Sequence, residues 1–166
     1  MVLKPSELTP TVTAVIDELV RKVFDPSEVA LVHGGVATAQ RLLALPCDHM
    51  FFTGSPAVGK LVMAAAAQHL SSITLELGGK SPVIVAAGTD LLHAAELAVW
   101  GKMTNAGQTC VAPDHVFVHR SLKDRFAQLC SDAIARRYGA DDAAIEASAD
   151  LARASDDTQC RHVYHS

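Results

Sequence analysis

The 166-residue sequence contains no closely spaced cysteines and no excess of basic residues. None of its cysteines lies in a C-x-x-C pair, and no Cys/His cluster has the spacing of zinc ligands. Scattered thiols of this kind predict a reducing compartment rather than a disulfide framework. Lys and Arg number 14 against 18 Asp and Glu, so the composition gives no indication of the basic face that a nucleic-acid-binding protein needs. The cysteines are Cys47, Cys110, Cys130 and Cys160.

Long apolar runs are also missing. The stretch VMAAAAQHL at 62–70 is too short to span a bilayer, and the N-terminal MVLKPSELTP has no apolar core for a signal peptide. We therefore expect a soluble, cytoplasmic chain with no membrane segment and no nucleic-acid partner. No G-x-G-x-x-G follows a predicted strand, so the common dinucleotide-binding fingerprint is absent.

Short apolar runs alternate along the chain with segments of helical periodicity. With 49% apolar and 19% charged residues, the composition is that of a globular protein. The alternation predicts an α/β architecture with mostly parallel strands. Helices are predicted at 10–24, 36–45, 56–69, 91–104 and 121–138, and strands at 28–34, 48–54, 72–78, 82–87 and 115–119.

The first stretch with chemical meaning is FFTGSPAVGK at 51–60, which is typical of a strand, a glycine turn, a capping serine and a helix. Backbone N–H groups and the helix dipole at Ser55 would suit a phosphate. The same arrangement occurs in α/β proteins that bind no phosphate at this position. Both interpretations stay open from this stretch alone.

The second stretch is LELGGK at 75–80. Glu76 lies on a predicted strand between two leucines and is followed by Gly78 and Gly79. A carboxylate at the end of a strand, followed by glycines that allow another backbone segment to come close, suits a general base. The alternative is a glutamate on the solvated face of the strand, with the two glycines forming a turn.

The third stretch is MTNAGQTC at 103–110. Gly107 permits unusual dihedral angles, so Cys110 can be held at a cleft with its backbone N–H directed at a reacting oxygen. Its thiolate would then serve as a nucleophile. The alternative is a buried structural cysteine, since free cysteine is among the most buried residue types.

Together, and in this order and spacing, FTGS…VGK, LELGGKSP and NAGQTCVAP closely resemble the aldehyde dehydrogenase superfamily. KPSELTP at 4–10 resembles the ribose-binding segment of the same family. The finer match is to the class 3 branch, which includes coniferyl and fatty aldehyde enzymes. The resemblance covers about residues 2–139. It implies a partial fold of that family, in which a parallel-sheet half of the cofactor domain is joined to the start of the catalytic domain.

The resemblance also implies a mechanism. Cys110 would attack the aldehyde carbon to give a thiohemiacetal and then a thioester, and Glu76 would activate the water that hydrolyses the thioester. The backbone N–H of Cys110 would be one oxyanion donor. The substrate would be a small-molecule aldehyde, and no metal is implied.

For the cofactor, the resemblance places Lys4 and Glu7 at the adenine ribose and Gly54 and Ser55 at the pyrophosphate. A carboxylate at the 2′-hydroxyl would repel a 2′-phosphate, so NAD is expected, with NADP possible. The resemblance implies a homo-oligomer for full-length members of the family and leaves the assembly of this chain open.

The family's upstream PWN segment and its downstream E-x-F-G-P segment have no counterpart in this sequence. We therefore expect a fragment, with a partial NAD(P)-binding domain at 1–78 and a partial catalytic domain at 79–139. Residues 140–166 are rich in Ala and Asp without a sustained apolar face, so we expect a divergent tail that is a weak helix or disordered.

Three functions stay open from the sequence. The first is NAD(P)-dependent oxidation of an aldehyde to a carboxylic acid, by a fragment of such an enzyme. The second is a non-catalytic remnant or interaction fragment without turnover. The third is a cofactor-independent thiol esterase. In this interpretation Cys110 takes the acyl group from an activated ester, and Glu76 assists the hydrolysis that releases it.

Overall fold

The computed structural model describes residues 1–153. The backbone divides into two compact units, Met1–Leu77 and a second unit that begins at Gly78. The assignment of a cofactor-binding role to one and a catalytic role to the other stays a prediction. The part of the predicted tail at 154–166 lies outside the described residues.

The first unit contains two separate pairs of parallel strands, and a helix connects the two strands of each pair. This connection is what parallel pairing requires, because the chain must cross over to begin the second strand at the same end. The elements are β1 (Val2–Leu3), α1 (Pro10–Val23), β2 (Ala30–Leu31), α2 (Val36–Leu43), β3 (His49–Gly54), α3 (Pro56–Gln68) and β4 (Ser72–Leu77).

The core of this unit lies between α3 and the β3–β4 pair. Met50, Val62 and Ala66 are buried, and partly buried apolar side chains from α2 and both strands pack against them. The start of α3 is the predicted one, since the hydroxyl oxygen of Ser55 accepts a hydrogen bond from the N–H of Val58 at 3.3 Å. Gly59 of α3 is also buried, and a Cβ on it would lie 3.0 Å from a methyl carbon of Leu77, so the helix lies close to β4 at this point.

The second unit is built around one parallel pair of strands with two long helices packed together. Its buried cluster comprises Val85, Ala95, Ala98, Phe126 and Leu129. The elements are β5 (Ser81–Val85), α4 (Leu91–Met103), a 3-10 turn (Thr104–Gly107), β6 (Pro113–Val118), a second 3-10 turn (Arg120–Leu122), α5 (Lys123–Tyr138) and α6 (Asp142–Ala147).

The predicted α/β class with parallel strands is confirmed. The strand predicted at 28–34 is much shorter, because its partner β1 offers only two residues for pairing and the chain turns at Gly34. In the tail, residues 142–147 form a short helix, whose first turn is capped by Asp141 through a 2.8 Å bond from the N–H of Ala144.

Several large apolar side chains remain on the surface. Ile84 and Phe117, which face the same side of the β5–β6 pair, are 77% and 60% exposed. Within residues 1–153, no helix combines the length and the apolar character needed to cross a lipid bilayer.

Leu129→Ala should destabilise the second unit by about 2–5 kcal/mol, because it removes a side chain that is 7% exposed and leaves a cavity in the core. The matched control is Leu97→Ala on the neighbouring helix, where the side chain is 53% exposed. Urea unfolding followed by the fluorescence of Trp100, the single tryptophan and a residue of the same unit, measures both. Equal midpoints for the two variants would contradict the assigned core.

Candidate active site

Cys110 lies on an exposed turn between α4 and β6. The turn is closed by a hydrogen bond from the N–H of Ala112 to the carbonyl oxygen of Thr109 at 2.9 Å. Ala112 itself is buried, so the turn is anchored on its C-terminal side. The alternative interpretation of Cys110 as a buried structural residue is wrong, because its side chain reaches solvent.

The backbone that leads into this turn is unusual. Asn105, Ala106 and Gly107 have φ values of 53°, 54° and 75°, in the left-handed region. Asparagine and glycine adopt this region readily, whereas for Ala106 it costs roughly 1–2 kcal/mol. Two side-chain hydrogen bonds span the bend, from the Asn105 amide to the Gln108 carbonyl at 3.3 Å and from the Gln108 side-chain amide to the Asn105 carbonyl at 2.9 Å. The backbone N–H of Gln108 also donates to the Asn105 carbonyl at 3.0 Å. Such strain persists where the surroundings enforce it, and it clusters at functional sites.

Glu76 lies at the carboxyl end of β4. In the parallel register it is paired with Thr53, and Leu77 is paired with Gly54. Its carboxylate is exposed while both flanking leucines are partly buried, as the alternation of side chains along a strand predicts. The register therefore brings Glu76 to the edge where β3 ends and α3 begins.

The N-terminus of α3 lies at that same edge. Ser55 has an extended backbone and caps the helix, and Pro56 occupies its first turn. The first turn contains no acidic residue, so the helix itself presents no negative side chain to a bound anion. This end of the β3–β4 pair thus combines a helix N-terminus with the predicted Gly54 and Ser55 and with the carboxylate of Glu76.

Lys4 and Glu7 form a second cluster in the first unit. The ammonium of Lys4 donates to the carbonyl oxygens of Gly34 at 2.7 Å and Pro5 at 2.9 Å, and to Glu7 Oε2 at 3.1 Å. A bond from its own backbone N–H, and then the Lys4 ammonium, hold the pKa of the Glu7 carboxyl below its usual range. A Cβ built on Gly35 would lie 3.4 Å from Glu7 Oε1, so this carboxylate lies against the start of α2.

Lys4 makes more contacts within the chain than the sequence analysis predicted. An ammonium has three N–H donors, and three oxygens of the chain lie within hydrogen-bond distance of it. Lys4 therefore orients Glu7 and ties β1 to the loop before α2. The glycine pair that precedes α2 is the signal in the sequence from which this cluster could have been inferred.

The structure brings the predicted residues together in groups. Lys4 and Glu7 share one cluster, while Gly54, Ser55 and Glu76 share one end of a strand pair. Cys110 belongs to the second unit and Glu76 to the first. In the part of the chain that the structure describes, no group of three His, Cys, Asp or Glu side chains is placed to hold a metal ion.

Comparison with known proteins identifies the family. The profile described as "Aldehyde dehydrogenase family" matches residues 1–160. The profile match extends beyond residue 139, whereas the alignment to the first curated relative spans 138 residues, so the divergence of residues 140–166 stays a prediction.

Among curated relatives, the chain is 48% identical over 138 residues to 4,4'-diaponeurosporen-aldehyde dehydrogenase of Staphylococcus aureus, covering 83% of this chain and 30% of that protein. It is 41% identical over 152 residues to aldehyde dehydrogenase family 3 member A2 of Mus musculus, covering 92% of this chain and 31% of that protein. The chain thus spans about 30% of the length of these relatives. The predicted likeness to the class 3 branch is confirmed.

Three solved structures carry the same fold. The substrate-bound Staphylococcus aureus AldH matches with a TM-score of 0.84 and 44% identity, over 93% of this chain and 33% of that one. A Mycobacterium tuberculosis aldehyde dehydrogenase complexed with NAD+ matches with a TM-score of 0.75 and 36% identity, over 80% and 28%. An E. coli NADP-dependent enzyme matches with a TM-score of 0.78 and 35% identity, over 83% and 29%.

The parallel strand pairs and their crossover helices agree with these structures, which confirms the predicted partial fold. The chain therefore belongs to the aldehyde dehydrogenase family.

Proposed function

We propose that the chain supplies the nucleophile, the general base and the cofactor contacts of an NAD(P)-dependent aldehyde dehydrogenase that oxidises an aldehyde to a carboxylic acid. The observation that carries this proposal is the position of Cys110, an exposed thiol on a turn that follows three consecutive left-handed residues. A thiol presented in this way meets a substrate without any rearrangement of a core. Membership of the family gives the reaction class.

In the proposed reaction, the Cys110 thiolate adds to the carbonyl carbon of the aldehyde. A C–S bond forms, and the carbonyl π electrons move to the oxygen, which the Cys110 backbone N–H stabilises as an oxyanion donor. A bound nicotinamide ring supplies the acceptor for the hydride that must leave the same carbon. The oxygen then reforms its double bond, and the acyl group is held on Cys110 as a thioester.

Glu76 is the proposed base for the second half of the reaction. It takes a proton from water as the water oxygen attacks the thioester carbon, and the Cys110 thiolate leaves with the electron pair of the C–S bond. The products are the free carboxylic acid and the regenerated thiolate. The exposed carboxylate of Glu76, at the carboxyl end of β4, has the solvent access that this role requires.

The chain's residues fit a dinucleotide cofactor. The N-terminus of α3, with the Ser55 hydroxyl and no acidic side chain in its first turn, suits a pyrophosphate. Glu7 keeps 45% of its side-chain surface exposed and can accept hydrogen bonds from ribose hydroxyls. We assign Lys4 the role of holding this carboxylate in place, and Gly54 that of letting the cofactor approach the backbone.

The preference for NAD follows from the same carboxylate. A 2′-phosphate beside the charged Glu7 would be repelled, so we propose NAD as the main cofactor, with NADP bound more weakly. We further propose a small-molecule aldehyde substrate and the cytoplasm as the reducing compartment for the free thiols at Cys47 and Cys110.

Mass spectrometry of the chain after mixing with an aldehyde and NAD tests the nucleophile and the base. Wild-type chain should form NADH together with a transient acyl group on Cys110, and Cys110→Ala should form neither. Glu76→Gln should still form the first equivalent of NADH, but acyl-Cys110 should accumulate and its hydrolysis should slow by about a hundredfold or more. The matched control is Glu18→Gln, which removes an exposed carboxylate on α1.

Two results would contradict the proposal. The first is NADH formation that persists in Cys110→Ala. The second is hydrolysis of an activated ester by Cys110 without any NADH from an aldehyde, which would instead support the thiol esterase. Absence of an acyl group under all conditions would support the non-catalytic fragment.

Glu7→Gln should change the choice of cofactor. Removing the charge while keeping the shape should raise the NADP affinity relative to NAD by about fivefold, since two charges 4 Å apart in water interact by roughly 1 kcal/mol. Calorimetric titration with each dinucleotide measures the ratio, again with Glu18→Gln as the control. An unchanged ratio would place Glu7 away from the 2′ position.

A further inference from the structure

We infer that Gly79, and not its neighbour Gly78, is the residue that positions the nucleophile turn. The two glycines stand side by side in LELGGK and look equivalent in the sequence. The inference rests on the proposed function, because it concerns the placement of Cys110 as the attacking group. It assigns a positioning role to a residue that itself touches neither substrate nor cofactor.

The two glycines have different surroundings. A Cβ built on Gly79 would lie less than 3.0 Å from the carbonyl oxygen of Cys110 and 3.4 Å from its carbonyl carbon. The obstructing atom belongs to the backbone, so no rotation of a side chain can relieve the overlap. A Cβ built on Gly78 meets no atom within 4 Å.

The close approach follows from the strand register. β5 and β6 are parallel, and Ser81 is paired with Pro113 at their amino ends. The segments that enter the two strands must therefore run beside each other, since parallel strands begin at the same edge of the sheet. Gly79 lies two residues before its strand and Cys110 lies three residues before its own, which brings the glycine against the carbonyl of the nucleophile.

The rest of the turn has little freedom to move away. After the turn, Pro113 packs against Gly101 of α4, where a Cβ would lie 3.2 Å from the proline ring. Before the turn, Gly107 has a φ of 75°, and a Cβ on it would lie 3.3 Å from the Lys102 carbonyl oxygen. With both ends held, a side chain at position 79 would displace Cys110 itself rather than the turn as a whole.

The displacement would matter because it moves both reactive groups of Cys110. The carbonyl that Gly79 contacts is bonded to the same Cα as the thiol-bearing Cβ and the proposed oxyanion-donating N–H. A misplacement of about 1 Å in an attacking group can lower a rate on the order of a hundredfold. Residues that hold the cofactor in the first unit would be unaffected.

The test compares Gly79→Ala with Gly78→Ala, which makes the same chemical change in the same motif where the Cβ has room. The first readout is the rate of iodoacetamide alkylation at Cys110, Cys47 and Cys130 at one pH, separated by peptide mass spectrometry. Gly79→Ala should change the rate severalfold at Cys110, and leave Cys47 and Cys130 unchanged. Gly78→Ala should behave as wild type at all three.

The second readout is NADH formation. Gly79→Ala should lower kcat by about a hundredfold with little change in the KM for NAD, because the cofactor contacts lie elsewhere. Should the wild-type chain form no NADH, the alkylation readout still decides: a selective change at Cys110 upholds the positioning role even as the proposed function fails for this chain.

Alkylation of Cys130 is the control for unfolding of the second unit. It lies in the same unit, and burial raises the pKa of its thiol, so opening of the unit would speed its alkylation. If Gly79→Ala unfolds in part, the rates are read in sucrose, which favours the folded state. Alkylation of Cys110 at the wild-type rate there would overturn the inference. So would changes of equal size at Cys110 and Cys130.

Discussion

Parallel pairing of short strands is the constraint on which the rest of this structure depends. Each pair requires its connection to cross over through a helix, so strand ends and helix starts meet at the same edge. Glu7 follows β1, Ser55 follows β3 and Glu76 ends β4. The groups proposed for cofactor and base therefore each lie where a strand finishes, which is where open α/β sheets bind ligands.

The position of the proposed nucleophile follows from the same constraint, but at the amino ends of the strands. Cys110 precedes β6 and Gly79 precedes β5, so parallel pairing brings them together where the strands begin. The connection between α4 and β6 contains Ala106 in the left-handed region, between Asn105 and Gly107 in the same region. The exposed thiol therefore lies on a backbone that the surrounding contacts hold in place. A thiol held in one geometry loses less entropy when it reacts with a bound substrate.

The Lys4–Glu7 ion pair in the first unit orients the Glu7 carboxylate more than it stabilises the fold. The Lys4–Glu7 pair is partly exposed, and such pairs contribute little to folding. Its value lies in geometry, since the same ammonium also binds the Gly34 carbonyl and so fixes the carboxylate beside the start of α2. An oriented carboxylate at a helix start is a means of recognising hydroxyl groups while rejecting a further phosphate.

Local patterns in the sequence determined where the helices form and the Ser55 cap of α3, because these depend on neighbours along the chain. Ser55 and Pro56 specify the start of α3 by themselves, and the alternation around Glu76 places its side chain on the exposed face. Tertiary structure alone decided the length of β2, the bond from Lys4 to the Gly34 carbonyl and the difference between Gly78 and Gly79. Each of these depends on a partner about 30 residues away, and the strand register, which no single motif encodes, selects that partner.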